Sequence, residues 1–176
     1  ALTGQGLPLR PARVTSRYME AKGQIWLAAP PPVVWSSMTD PAVLKVCVPG
    51  CKRVEREANG HYRFDLEGRW GFLHARFHVQ VWVHDLDPPD AATPQRYTLS
   101  AQGQGPLGLA KGQSRIELTE HAEGSYLVYA ADGAPDERLG KVGRSALRRV
   151  ADTLSQKFFR RFAETIVQNH PDEDSA

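Results

Sequence analysis

Tyr97-Thr98-Leu99-Ser100-Ala101-Gln102-Gly103-Gln104-Gly105-Pro106-Leu107-Gly108-Leu109-Ala110-Lys111-Gly112-Gln113-Ser114-Arg115-Ile116-Glu117-Leu118 reads as a β-hairpin whose inward face runs from bulky to empty. Successive strand residues point to opposite faces. Tyr97, Leu99, Ala101, Gly103 and Gly105 therefore share one face of the first strand, and Ala110, Gly112, Ser114, Ile116 and Leu118 share it on the return. A turn centred on Pro106-Leu107-Gly108-Leu109 sets Tyr97 opposite Leu118, Leu99 opposite Ile116, Ala101 opposite Ser114 and Gly103 opposite Gly112. Protein interiors are close-packed. Small residues gathered at one end need either a covering helix that approaches closely or a space that a ligand fills.

Alternation of the same kind runs through the preceding chain. Met19, Ala21, Gly23, Ile25 and Leu27 point inward over 18–27, with Glu20, Lys22, Gln24 and Trp26 outward. Pro30-Pro31-Pro32 stops that strand and opens a short helix over about 32–38, since proline is tolerated in a first helical turn. Asp40 caps a second one with Pro41 at its first position, ending before Pro49-Gly50. A short strand over 52–58 leads to Asn59-Gly60, a tight hairpin turn. Tyr62, Phe64, Leu66, Gly68 and Trp70 then alternate with Arg63, Asp65, Glu67 and Arg69, and on the return Ala75, Phe77, Val79, Val81 and Val83 alternate with Arg76, His78, Gln80, Trp82 and His84. After the central hairpin, Glu123-Gly124 turns into a last strand with Leu127, Tyr129 and Ala131 inward. Over 138–168 the apolar spacing changes to three and four: Leu139, Val142, Ala146, Leu147, Val150, Leu154, Phe158, Phe162 and Ile166. One long amphipathic helix is expected there, the only element long enough to cover a seven-stranded antiparallel sheet. The fold class is α+β.

Composition bounds the rest. The 176 residues, 41% hydrophobic and 24% charged, suit one soluble domain with a substantial core. That domain is expected over 17–168, between a flexible extension at 1–16 and an acidic tail at 169–176. No run approaches the roughly 18 apolar residues of a membrane span. No secretory pattern is seen, and two cysteines are too few for a disulfide framework, so a cytoplasmic setting is expected. If the first and last strands pair, both long hairpins turn at one end of the sheet. The loop Cys47-Val48-Pro49-Gly50-Cys51, the tips Phe72-Leu73 and Leu107-Leu109, and the start of the long helix with Gly140 and Gly143 would share that rim. This convergence favours the cavity. Its expected wall is Tyr62, Phe64, Leu66, Trp70, Phe77, Val79, Leu99, Ala101, Gly103, Gly112, Ser114 and Tyr129 from the strands, with Val142, Leu147 and Val150 from the helix.

Chemistry inside that wall is sparse. The inward strand positions hold no Asp, Glu, His, Lys or Arg; the hydroxyls of Tyr62, Tyr97, Ser114 and Tyr129 are the polar handles. General acid–base catalysis needs a titratable group within the site, so ordinary hydrolysis is disfavoured. No Gly-x-Ser-x-Gly elbow, His-Glu-x-x-His or phosphate loop is present. His74, His78 and His84 share one parity of one strand. Partners four residues apart on a strand are over ~13 Å distant, which fits a solvated face better than a metal site. No metal or covalently bound cofactor is expected. The long helix carries Lys141, Arg144, Arg148, Arg149, Lys157, Arg160 and Arg161, either a solvated face or a docking surface for an acidic partner or anionic membrane. A nucleic-acid partner is not expected, because aromatic residues do not interleave with the basic ones.

The run Pro31-Pro32-Val33-Val34-Trp35-Ser36-Ser37-Met38-Thr39-Asp40-Pro41 through Cys47-Val48-Pro49-Gly50-Cys51 resembles the CoxG family of carbon monoxide dehydrogenase subunits, a START-like (SRPBCC) group. So do Asp85-Leu86-Asp87-Pro88-Pro89, Gly103-Gln104-Gly105, Ala110-Lys111-Gly112 and Lys157-Phe158-Phe159-Arg160-Arg161-Phe162. The resemblance implies a helix-grip fold: a seven-stranded antiparallel sheet curved around a C-terminal helix, enclosing an apolar cavity. It also implies an accessory role for a molybdenum hydroxylase, recruiting the enzyme to the inner face of the membrane and handling a lipophilic quinone. A START-like cyclase or hydrolase using a tyrosine and bound water is the alternative, and a ligand-free scaffold is a third reading.

Overall fold

The computed structural model describes residues 19–70 and 73–169. The expected extension at 1–16, Phe72, the side chains of Trp70 and Leu73, and residues 170–176 of the tail lie outside the described residues. Strands β1 (Met19–Leu27), β2 (Cys51–Arg56), β3 (Tyr62–Trp70), β4 (Leu73–Asp87), β5 (Arg96–Gly105), β6 (Gly108–His121) and β7 (Gly124–Pro135) form one sheet. Its order is β1-β7-β6-β5-β4-β3-β2, with every neighbouring pair antiparallel. The first and last strands in sequence do pair, and the short helices α1 (Pro31–Met38) and α2 (Pro41–Cys47) carry the chain across to the opposite edge. The Asp40 carboxylate accepts from the Ala42 N–H at 2.9 Å, which is the cap expected of Asp-Pro at a helix start.

The central hairpin is tighter than the spacing of its glycines suggests. Tyr97 faces Ile116, Leu99 faces Ser114, Ala101 faces Gly112 and Gly103 faces Ala110. The return strand is thus displaced by two residues from the expected register, because Gly105 pairs with Gly108 and leaves only Pro106-Leu107 in the turn. An even displacement keeps every side chain on its expected face. The neighbouring strand roofs the small end: a Cβ at Gly105 would overlap the Phe77 ring, and one at Gly103 would lie 3.5 Å from Val79 Cγ2.

The helix expected over 138–168 is two helices, α3 (Glu137–Gly140) and α4 (Arg144–Asn169). Gly143 adopts a left-handed φ of 104° between them, a conformation that costs other residues about 1–2 kcal/mol. Asp136 ties α3 to the hairpin tip. Its carboxylate accepts from Leu139 N–H at 2.8 Å and from Leu109 N–H at 2.9 Å, and these backbone donors, Leu139 first, hold its pKa below the ordinary value. Arg138 Nη2 adds a bond to Pro106 O at 2.8 Å.

Leu147, Phe162 and Ile166 are the buried residues of α4. Phe162 and Ile166 join Leu27, Val34, Val43, Tyr97, Ile116, Leu118 and Leu127 in the main core, while Leu44, Tyr62 and Phe64 form a second cluster. Phe158 packs against both.

The β6–β7 turn offers a stability test. His121 pairs with Gly124, so Ala122 and Glu123 are the two central residues, both at positive φ (46° and 66°). That geometry favours Asn-Gly. The double substitution Ala122→Asn, Glu123→Gly is expected to stabilise the fold by about 1 kcal/mol, raising the melting temperature by roughly 2–4 °C. An unchanged or lower value in calorimetry would contradict the strain argument.

Candidate functional site

A groove runs between the inward face of the sheet and α4. Its inner chamber, about 390 Å³, is walled by Ala21, Trp35, Met38, Thr39, Leu44, Tyr62, Phe64, Val81, Val83, Tyr97, Leu99, Ser114, Ile116, Tyr129, Ala131, Ala151, Ser155, Phe158 and Phe159. An outer chamber of about 280 Å³ is formed by Met19, Leu66, Phe77, Val79, Ala110, Lys111, Gly133, Ala134, Pro135, Leu139, Leu147, Val150, Ala151 and Leu154. Ala151 belongs to both walls. Met19, Pro135 and Leu147 are shared between the outer chamber and a cleft of about 380 Å³ that also carries Asp136, Glu137, Lys141 and Arg144. The three spaces thus run in series from the Tyr97 end of the central hairpin to the charged start of the helical segment. The inner chamber alone is of the size of small-molecule sites, which begin near 300 Å³, and the outer one extends it.

The sequence explains why this space stays open. Strand parity directs Leu66, Phe77, Val79, Leu99 and Ser114 inward, and the small residues Ala110, Gly133 and Ala134 leave room in the outer chamber. On the helix, Leu147, Ala151, Leu154 and Phe158 recur at four, three and four, one face at 3.6 residues per turn. Ala151 sits at its centre and is exposed to the groove. Tyr129 takes the room left by Gly23, where a Cβ would overlap its ring, and stacks on Phe159 with centroids 5.5 Å apart.

Polar groups in the inner chamber are few and neutral. Tyr62 donates its hydroxyl to Thr39 O at 2.8 Å, and burial raises its pKa against a smaller opposing effect of Arg56. Tyr97 packs edge-on against Trp35, centroids 4.9 Å apart, and is 3% exposed. Its hydroxyl is buried without a hydrogen-bond partner. Burial raises the Tyr97 pKa well above the ordinary phenol value. Below pH about 10 folded and unfolded chains both keep this proton; above it the unfolded chain loses the proton first. Stability should then fall with rising pH by about 1.4 kcal/mol per pH unit from this group. Tyr97→Phe is expected to flatten that slope in urea melts above pH about 10; equal slopes would contradict the assignment.

Of the wall residues expected from sequence, Tyr62, Phe64, Leu99, Ser114 and Tyr129 line the inner chamber, and Leu66, Phe77, Val79, Leu147 and Val150 the outer one. Ala101, Gly103 and Gly112 are not in either wall. Val79 covers Gly103, and a Cβ at Gly112 would lie 3.0 Å from Asp132 O on the neighbouring strand. Val142 falls in the break between α3 and α4 and also stands outside both. The residues Cys47, Val48, Pro49, Gly50 and Cys51, expected at the rim, wall none of the three spaces. Cys47 is buried beside Thr165, 3.6 Å from its Oγ1, on the C-terminal part of α4. Cys51 pairs with Leu66 and contacts Arg53 O, and burial raises both thiol pKa values. Leu107 and Leu109 stand at the hairpin tip, outside the three walls.

At 3.6 residues per turn, Arg149 and Arg160 fall opposite the buried face of α4, Arg148 on one flank, and Lys157 and Arg161 on the other. The basic residues therefore spread around the helix, with Lys141 and Arg144 in the charged cleft.

One polar series is not apparent from the sequence. His84 Nε2 lies 2.6 Å from Ser100 Oγ, and His84 Nδ1 lies 3.0 Å from Asp85 Oδ2, the order of a nucleophile, base and acid. It sits on the sheet face away from the groove. Ser100 is buried, and β5 lies between β4 and β6, which commits its N–H groups to the ladders. An acyl-transfer site needs donors aimed at a developing oxyanion, and the backbone N–H groups of this central strand are taken up by its two ladders. His78 likewise meets Asp65 on that face, at 2.7 Å. Among the described residues no group of three or more His, Cys, Asp or Glu is arranged to hold a metal ion, and no helix is long and apolar enough to cross a membrane.

Comparison with known proteins bears on this groove. A conserved protein from Geobacillus kaustophilus is 26% identical and superposes with a TM-score of 0.77, over 86% of this chain and 97% of that one. The Zhui aromatase/cyclase from Streptomyces sp. R1128 is similar at 17% identity and TM-score 0.65, over 90% and 99%. A START superfamily protein from Mycobacterium smegmatis gives 14% and 0.60, over 85% and 98%. These last two likenesses show a shared START-like, helix-grip fold. No curated protein matches the sequence significantly. The family profile of CoxG, a carbon monoxide dehydrogenase subunit, matches residues 23–167, from β1 through both short helices and the whole sheet into α4, and the chain belongs to that family.

Proposed function

We propose that this protein is a non-enzymatic carrier that takes a lipophilic small molecule, quinone- or lipid-like, into the groove, and that it acts as an accessory to a molybdenum hydroxylase of the carbon monoxide dehydrogenase type. The observation that supports this most is the inner chamber: a mostly aliphatic and aromatic wall whose other side chains are the hydroxyls of Thr39, Ser114 and Ser155, with no carboxylate, histidine or basic group. Such a wall stabilises an apolar guest by roughly 25 cal/mol per Å² of buried apolar surface and offers no ordinary acid or base to transform it. Family membership supports the accessory role. The exposed Arg148, Arg149 and Arg160 with the half-buried Lys157 and Arg161 suit an acidic partner or anionic lipid headgroups, so that exchange of the guest takes place at the inner face of the membrane.

The test is organic extraction of the purified protein with mass spectrometry, followed by incubation of the emptied protein with quinone-loaded vesicles. Recovery of an unaltered lipophilic molecule at one per chain is expected. A chemically converted product would favour a cyclase- or hydrolase-like enzyme, and no uptake of any quinone or lipid would defeat the carrier reading.

A further inference from the structure

We propose that Tyr97 is the polar anchor of the groove, and that the guest is a neutral lipophile which enters oxygen first, its carbonyl accepting the Tyr97 hydroxyl hydrogen while its apolar remainder lies past Ala151 in the outer chamber. This rests on the carrier reading and adds the residue that holds the guest and the guest's orientation. Buried hydroxyls almost always have a partner, yet the Tyr97 hydroxyl has none within the protein. Tyr97 is a wall residue of the inner chamber, and its hydroxyl, closed to water in this structure, is reached when the guest displaces the side chains that cover it. The second deep phenol is already committed, since Tyr62 donates to Thr39 O.

The choice of guest follows from charge. A phenol whose environment disfavours ionisation offers a hydrogen to a carbonyl oxygen. A carboxylate or phosphate head would have to shed its water in a wall without a cation, which is prohibitive. Such heads suit the opposite end of the groove, where Lys141 and Arg144 stand with Asp136 and Glu137. The anchored guest is therefore of the ketone, quinone or ester class, and its tail points toward α3.

Two probes of matched shape test the anchor: 2-methyl-1,4-naphthoquinone and 2-methylnaphthalene, each titrated by calorimetry into the full chain and its Tyr97→Phe variant. This substitution keeps the ring against Trp35 and removes only the orphan hydroxyl, so the variant should fold, as a thermal melt would verify. The naphthoquinone is expected to lose about tenfold in affinity, with its carbonyl stretch moving to higher frequency in the variant. The hydrocarbon should change less than twofold. Equal changes for both probes, or an unmoved carbonyl band, would overturn the anchor while leaving the carrier reading intact. If neither probe binds the wild-type chain, the anchor fails, and the carrier reading is decided by uptake from quinone-loaded vesicles.

Discussion

Ala151→Trp is expected to lower the affinity for any lipophilic guest at least tenfold while leaving the fold in place. Ala151 is the residue common to the two apolar chambers, so an indole there divides the groove. The position is exposed to that space, and the helical cost of replacing alanine by tryptophan is only about 0.5 kcal/mol, a shift of roughly 1–2 °C in melting temperature. Affinity and stability should thus separate. Ala151→Ser, which adds little volume, serves as the control. Unaltered binding in the tryptophan variant, measured by titration with a prenylquinone, would mean that the guest sits elsewhere.

Phe162→Ala should do the reverse and strike stability. Phe162 is fully buried on α4, stacks on Phe158 with centroids 5.6 Å apart, and lies in the core cluster formed by β1, the short helices and β5 to β7. Truncating such a ring costs roughly 3–5 kcal/mol, against a total of about 5–15 kcal/mol for a typical domain. A fall in melting temperature of roughly 10 °C is expected. A change below about 2 °C would show that α4 is held by something other than this contact.

The two outcomes reflect how the helix divides its work. Toward its C-terminal end α4 is clamped: Phe162 and Ile166 are fully buried, and α2 packs alongside through Cys47 and Thr165. Toward its N-terminal end it spans the groove, and Ala151 and Leu154 meet open space. The tie from α3 to the hairpin tip is polar, made by Asp136 and Arg138. A helix packed at one end and bridged at the other can keep its fold around an unfilled interior.

Much of this is legible from residue spacing. Alternation of apolar and polar residues locates the strands, and Asp40-Pro41 locates α2, because these signals act within a few residues. Most groove-facing positions on β3 to β7 follow from parity, which survives even a two-residue error in register; Lys111 and Ala134, of the opposite parity, reach the outer chamber as well. That error arises because Gly105 and Gly108 carry no side chain to mark where the strands stop, and Pro106 suits either turn. The break at Gly143 is hidden because apolar spacing continues across it from Leu139 to Leu147. Trp35, Met38, Thr39 and Leu44 enter the wall from helices too short to announce their orientation. Tyr97 is legible as inward-facing, but whether its hydroxyl finds a partner depends on the three-dimensional placement of α1 and β6. The pairing of His84 with Ser100 likewise requires the register of β4 on β5.

The most direct test of a guest-binding groove is a methyl-resolved NMR titration of the protein with a prenylquinone. Saturable shifts at Leu66, Val79, Val150 and Leu154, with the exposed Val46 and Val128 unmoved, are expected. Shifts confined to Val46 and Val128, or no saturable shift at all, would contradict it.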